Sequence, residues 1–127
     1  MIDTSDLADF TADLKALAAD AEEQGKGIVA KGALNVKNDA RQLAPSGPHT
    51  PAYPRSITYD TRTGSGWVEA EIGPRHGAAQ WGLGNLLEYG GPHNPPNPHL
   101  EPALDHEEPR FYQQAEEMLG RLEAKHL

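Results

Sequence analysis

A chain of 127 residues with 37% hydrophobic residues, 13 glycines and 11 prolines has material for one small core wrapped in long turns, since ordinary globular chains carry roughly 45–50% apolar residues. Its net charge of −8 disfavours tight binding to nucleic acid, because affinity for the duplex comes mainly from phosphate neutralisation by Lys and Arg. The lack of cysteine excludes disulfides, thiolate metal sites and thiol nucleophiles, and with neither an apolar run near the ~20 residues of a membrane span nor a basic-then-apolar leader, a soluble chain without an export signal is expected.

Leu7, Phe10, Leu14, Leu17 and Ala21 recur at three- and four-residue steps, which places them on one face of an amphipathic helix. Thr4 or Ser5 is positioned to cap it, and Asp6 and Asp9 lie in a first turn where the helix dipole favours anions. A second stripe, Val29, Ala33, Val36, Ala40 and Leu43, runs out of phase with the first by about 100°. A kink or break at Gly25–Gly27 is the expected remedy, and Pro45 ends the helical region, 1–44. Residues 45–54 hold four prolines and are expected to form an extended loop.

Alternation in Ser56-Ile57-Thr58-Tyr59-Asp60 and again in Trp67-Val68-Glu69-Ala70-Glu71-Ile72, around the turn Thr63-Gly64-Ser65-Gly66, predicts an antiparallel hairpin over 55–73. Val68, Ala70 and Ile72 share one face, and that face should meet the helices. Residues 74–104 read as Gly- and Pro-rich loops with a short helix at Asn85–Tyr89 and a proline arm behind it. The stripe Phe111, Ala115, Met118 and Leu122 predicts a terminal helix from about Glu108 to Ala124, with Pro109 in its first turn and a short turn at Pro102–Asp105 before it. The expected fold is therefore α+β in a single domain, 1–127: kinked or paired N-terminal helices, a small antiparallel sheet, a proline arm and a C-terminal helical region, 105–127.

Charge is unevenly spread. Residues 1–23 carry seven acids and Lys15, residues 24–66 carry six bases against Asp39 and Asp60, and the remainder carries ten acids and four bases. Such a pattern suits contact with other protein subunits, although any one charge is more often simply solvated.

Several segments invite a chemical reading. His93 and His99, with Glu88 and His106 near in sequence, could be metal ligands or parts of a nuclease. The seven-residue span from His93 to His99 is too short for the hairpin-and-helix scaffold of a His-Asn-His nuclease, and no Cys pair supports a structural zinc. A rigid arm whose imidazoles bond backbone is the simpler account. Gly82-Leu83-Gly84-Asn85 lacks the Lys-Ser/Thr pair of a phosphate-cradling loop and reads as a tight turn. Ser46, Ser56 and Ser65 have no nucleophile-elbow context. Glu88 is read as a carboxylate holding nearby glycine N–H groups, and Lys37 and Arg41 as a solvated row.

The order of these features resembles the Hong Kong 97 gene-product-ten family of phage tail-completion proteins. The residues that carry the resemblance are the helix end Ala40-Arg41-Gln42-Leu43-Ala44-Pro45, then Arg55-Ser56-Ile57, then Leu86-Leu87-Glu88-Tyr89-Gly90, and last Asn97-Pro98-His99-Leu100-Glu101-Pro102-Ala103-Leu104. Within these, the matching positions are Ala44, Pro45, Ser56, Ile57, Gly90, Pro102, Ala103 and Leu104. The chain departs from the family at Ser46-Gly47-Pro48-His49-Thr50-Pro51, where a Thr-Gly turn is usual, and in its long proline segment His93–His99.

The resemblance implies a non-enzymatic virion protein without cofactors or metal, located in the tail or neck and assembled in the host cytoplasm. It would form a ring of six copies between tail tube and head connector. Its partners would be copies of itself, tail-terminator or tail-tube proteins and head-closure proteins; genome DNA would pass through without specific binding, and no membrane would be involved. The expected docking arm comprises Glu88, Tyr89, His93, Asn94, Pro95, Pro96, Asn97, Pro98, His99 and Leu100. A tail-terminator or head-closure subunit is the neighbouring alternative, and a small His-dependent metal-binding enzyme or nuclease is the alternative of another class.

Overall fold

The computed structural model describes residues 4–127. A 40-residue helix α1 (Thr4–Leu43) leads into a short helix α2 (Tyr53–Ser56), strands β1 (Ile57–Gly64) and β2 (Trp67–Pro74), a 3-10 turn at Trp81–Leu83, a short helix α3 (Gly84–Tyr89) and a 27-residue helix α4 (Leu100–His126). The architecture is α+β, with two long helices, the second of them C-terminal, and a two-stranded antiparallel sheet.

The break expected at Gly25–Gly27 does not occur: α1 runs through both glycines. The phase change between the two apolar stripes demands a break only if both face one core, and they do not. Leu7 and Phe10 are each 52% exposed and Leu14 43%, whereas Ala33, Val36 and Ala40 of the second stripe are buried. Two interior glycines, at roughly 1 kcal/mol each, are a tolerable loss for a helix held by packing over its second half. The helix includes Thr4 and Ser5, and the position that caps it lies outside the described residues.

Helix α4 lies antiparallel to the second half of α1. His106 meets Asp39, Glu107 accepts from Asn35, Phe111 packs on Gly32, and Lys125 and His126 reach Asp20. A Cβ on Gly32 would stand 3.2 Å from the Phe111 ring, so the glycine sets how closely the helices approach. The expected start at Glu108 is corrected to Leu100, which absorbs the turn expected at Pro102–Asp105 and leaves Pro109 inside the helix. An interior proline loses one backbone bond and crowds the preceding turn. The upstream turns form nonetheless, because the Glu88 carboxylate of α3 holds their leading N–H groups.

The hairpin pairs Ile57 with Pro74 through to Gly64 with Trp67, closing on Ser65 and Gly66, the latter at φ 79°. Trp67 folds back over Gly64 where no Cβ would fit. As expected, Val68, Ala70 and Ile72 turn inward while Trp67, Glu69 and Glu71 are exposed. Arg62 bridges outward to Glu69 at 2.9 Å and to Glu71 at 3.6 Å. Three boundaries move: Thr63 and Gly64, expected in the turn, are the last paired residues of β1, Ser56 belongs to α2 rather than to the strand, and α2 itself interrupts the expected loop, with Pro54 in its first turn where a missing N–H costs nothing. Val36, Ala40, Ala44, Tyr53, Ile57 and Ala103 form the core, backed by Ile72, Leu83, Leu87 and Leu100.

A buried clamp beneath an exposed proline arm

Of the residues expected to form a docking arm, the structure buries two and exposes most of the others. Glu88 is 5% exposed and His99 is fully buried, while residues 92–98 are exposed throughout. The arm leaves α3 at Gly90, whose φ of 79° and close approach to the Pro96 nitrogen, 2.8 Å from where a Cβ would stand, admit only glycine without strain. It turns through Gly91-Pro92-His93-Asn94, closed by the pair Gly91 N to Asn94 O at 2.9 Å and Asn94 N to Gly91 O at 3.3 Å. Asn97 N then ties it back to Leu87 O at 2.7 Å. Both ends of the arm are thus fixed, and the prolines between them limit its conformations.

The far end is anchored by Glu88. Its carboxylate accepts from the backbone N–H groups of His99 (3.1 Å), Leu100 (2.9 Å) and Glu101 (3.3 Å). These are the orphan donors at the start of α4, and no local side chain caps them. An anion there also meets the favourable end of the helix dipole. Burial alone would raise the pKa of Glu88; the N–H bonds from Leu100, His99 and Glu101 and the nearby His99 ring outweigh it, and the carboxyl sits below its ordinary range.

His99 completes the clamp. Its Nδ1 lies 3.0 Å from the Asn97 carbonyl oxygen and 3.1 Å from Glu88 Oε1, two acceptors, so Nδ1 carries the hydrogen. In the neutral ring Nε2 is then the acceptor for the Tyr53 hydroxyl, 2.7 Å away. The two rings meet edge to face, with centroids 5.3 Å apart. Burial, seconded by the Glu88 charge, pushes the Tyr53 phenol up to about 12, so it remains a donor at neutral pH. Tyr53 is held in turn by α2, where Ser56 Oγ donates to its carbonyl at 2.6 Å.

The order Tyr53–His99–Glu88 has the connectivity of a hydroxyl–imidazole–carboxylate relay. Tyr53 and His99 are fully buried, however, and the Glu88 carboxylate, which borders a groove with Leu100 and Leu104, is committed to three N–H groups. What the arrangement does is fix the start of α4 against α2 and α3. His93 sits away from it on the exposed turn, and among the described residues no group of three His, Asp or Glu converges as a metal site.

The family-motif positions divide in the same way. Ala44, Ser56, Ile57 and Ala103 are buried in or beside the core, Gly90 makes the arm's turn, Pro45 and Pro102 are half-buried, and Leu104 is exposed. Sequence reasoning misses Tyr53, whose only signal is the proline after it, and it misjudges Arg41. That guanidinium is not merely solvated: its Nε donates to Ile57 O at 2.8 Å and ties α1 to the start of β1. Lys37 lies over the Tyr59 ring at 5.8 Å. Gln80, held at φ 62°, is missed as well. It accepts from Ala52 N at 2.7 Å and donates to His49 O at 3.0 Å, joining the two irregular loops.

The buried polar groups of the clamp thus position one helix under an α+β core. The family model described as "Bacteriophage HK97-gp10, putative tail-component" matches residues 8–90. The chain belongs to that family and is a phage tail-related structural component of the virion. The match includes most of α1, the hairpin and the Leu86–Gly90 stretch, and ends before the proline arm and α4. Searches of the curated proteins and of the solved structures return no match.

Proposed function

We propose that the chain is a tail-completion subunit that joins tail to head, six copies forming a ring between the tail tube or its terminator and the head-closure proteins. The observation that carries the reading, beside family membership, is the exposed apolar stripe Leu7, Phe10 and Leu14 on α1. A chain poor in large apolar residues that leaves three of them in water is completed by a partner. The sheet agrees with this, since among the described residues each of its two strands has an unpaired edge. The proline arm, rigid and exposed between fixed ends, is the docking element toward the neighbouring protein, and it loses little entropy on binding. Assembly takes place in the host cytoplasm, and the genome passes the ring without specific contacts.

A stop codon in the phage gene tests this. Filled heads and finished tails should accumulate unjoined, and added full-length protein should join them. Joined, infectious particles made without the protein would overturn the proposal. Tails of uncontrolled length would point to a terminator instead, and heads leaking DNA to a head-closure subunit.

A further inference from the structure

Helix α4 covers α1 only as far as Asp20, and every residue from Ser5 to Ala16 is exposed. On this overhang Leu7, Phe10, Leu14 and Leu17 occupy an arc of about 80°, and Asp6, Asp9 and Asp13 the adjoining arc of about 60°. The overhang therefore presents an apolar stripe with a row of carboxylates along one edge. None of the three acids has an ion-pair partner among the described residues.

Besides a groove at the start of α4 whose lining includes the acids Glu88 and Glu101, two grooves flank the α1–α4 seam among the described residues. One, of about 410 Å³, has an apolar floor that includes Val29, Ala33, Val68 and Phe111, but Glu108 stands exposed on its rim with no cationic partner among the described residues, beside Glu69, paired with Arg62, and the buried Glu107, paired with Arg110. The acid row would meet carboxylates there. The other, of about 330 Å³, is lined by Gln24, Gly27, Ile28 and Lys31 of α1 and by Arg110, Gln114 and Arg121 of α4. Lys31 and Arg121 are exposed, with no anionic partner among the described residues. Gly27 has open space where a side chain would stand, so another helix can come close beside Ile28. From Arg110 to Arg121 the groove runs about 16 Å, and from Leu7 to Leu17 the stripe runs about 15 Å.

We propose that the overhang of one copy lies in the Ile28–Lys31–Arg121 groove of the next, with Asp6, Asp9 and Asp13 facing Lys31 and Arg121 and Phe10 against Ile28. The charges decide between the two grooves. The contact joins two different surfaces of the same chain, so it propagates from copy to copy and closes into a ring if the rotation permits. This deepens the ring reading and rests on it for closure alone. It cannot form within one chain, because Phe10 and Ile28 stand about 27 Å apart along a continuous helix.

The chain has no cysteine, so a clean cross-linking test exists. Full-length Phe10→Cys and Ile28→Cys chains, mixed and oxidised, should give a disulfide-linked heterodimer. Adding Asp9→Lys and Asp13→Lys to the first chain should abolish it, and adding Lys31→Glu and Arg121→Glu to the second should restore it. A Phe10→Cys chain that links only to itself, one captured instead by Ala70→Cys in the apolar groove, or one that stays monomeric would each overturn the contact. A six-fold neck ring in virions without the 10–28 link would refute this contact and leave the ring reading standing. Linked open filaments from a phage with no such ring would do the reverse.

Discussion

Replacing Glu88 with Gln exchanges one oxygen for an NH2 group and removes one charge, and the hydrogen bonds around that carboxylate set the cost. It satisfies three N–H donors at the start of α4 and the Nδ1–H of His99. An amide keeps one oxygen for them and turns an NH2 group, itself a donor, toward the rest. Hydrogen bonds to a charged group contribute roughly 1.5–3 kcal/mol each and are not additive, and an N-cap contributes about 1 kcal/mol, so a net loss of about 3 kcal/mol is expected. For a chain of this length that lowers the melting temperature by roughly 10 °C, readable by far-UV circular dichroism at pH 7.

The acid response supplies a second readout. Because the folded carboxyl is more acidic than the ordinary 4.5 of a glutamate, the unfolded chain binds more protons as pH falls below that value. The contribution of Glu88 is complete above pH 4.5 and lost as pH drops through the folded value. Glu88→Gln should therefore flatten the decline of stability on acidification, and its amides at His99, Leu100 and Glu101 should exchange faster with solvent. A variant that melts with the native protein at pH 7 and shows the same acid profile would refute the clamp.

Tyr53→Phe leaves the His99 Nε2 acceptor buried and unpaired, which should cost about 1–3 kcal/mol in urea unfolding with the helical spectrum unchanged; no loss would mean that the bond contributes nothing net. Asp20 is held down to about 2 by hydrogen bonds from His126, Lys125 and Gln24. Its support for the end of α4 is present above the ordinary 3.8 and lost as pH falls toward 2, so Asp20→Asn should speed amide exchange near residues 120–126 with little change in melting temperature, and unaltered exchange would refute the staple. Replacing Pro95, Pro96 and Pro98 with Gly should preserve the helical spectrum while impairing head–tail joining, at a loss of about 0.4–1 kcal/mol per site through the unfolded chain; unchanged phage infectivity would remove the arm from the docking role.

The helices and the hairpin are legible in the sequence because their signals are local. Spacing of Ala33, Val36 and Ala40 identifies a buried helical face, flanked by half-buried Val29 and by Leu43, which is 40% exposed contrary to its place in the stripe, and alternation in Trp67–Ile72 assigns Val68, Ala70 and Ile72 to the inner face of β2. Errors arise where a distant group decides. The start of α4 depends on Glu88, eleven residues before the first N–H it holds, so Pro109 reads from sequence as a first-turn residue. Periodicity around Gly25 is right about the change of phase and wrong about its consequence, because a stripe does not reveal whether its partner lies in the same chain. Glu88 reads correctly as a holder of backbone N–H groups, but the groups belong to α4 rather than to nearby glycines. Tyr53 carries no periodic signal, since its role depends on a contact across 46 positions.

The clamp also governs how freely the arm above it can vary. Glu88 holds the start of α4 directly, and Asn97 bonds Leu87, so the helix start is secured on both sides of the segment 91–96 without calling on it. A loop whose ends are fixed by others can change its length and sequence at little cost to the fold. The family match, ending at residue 90, includes the carboxylate but neither the arm nor the helix that the carboxylate holds. The exposed prolines can therefore adapt to the surface of whatever protein they meet, while the buried motif residues Ser56, Ile57 and Ala103 answer only to the core. On that division, substitutions at those three positions should act through stability, and substitutions between Pro92 and Pro96 chiefly through joining, with only the small stability cost of a freer unfolded chain.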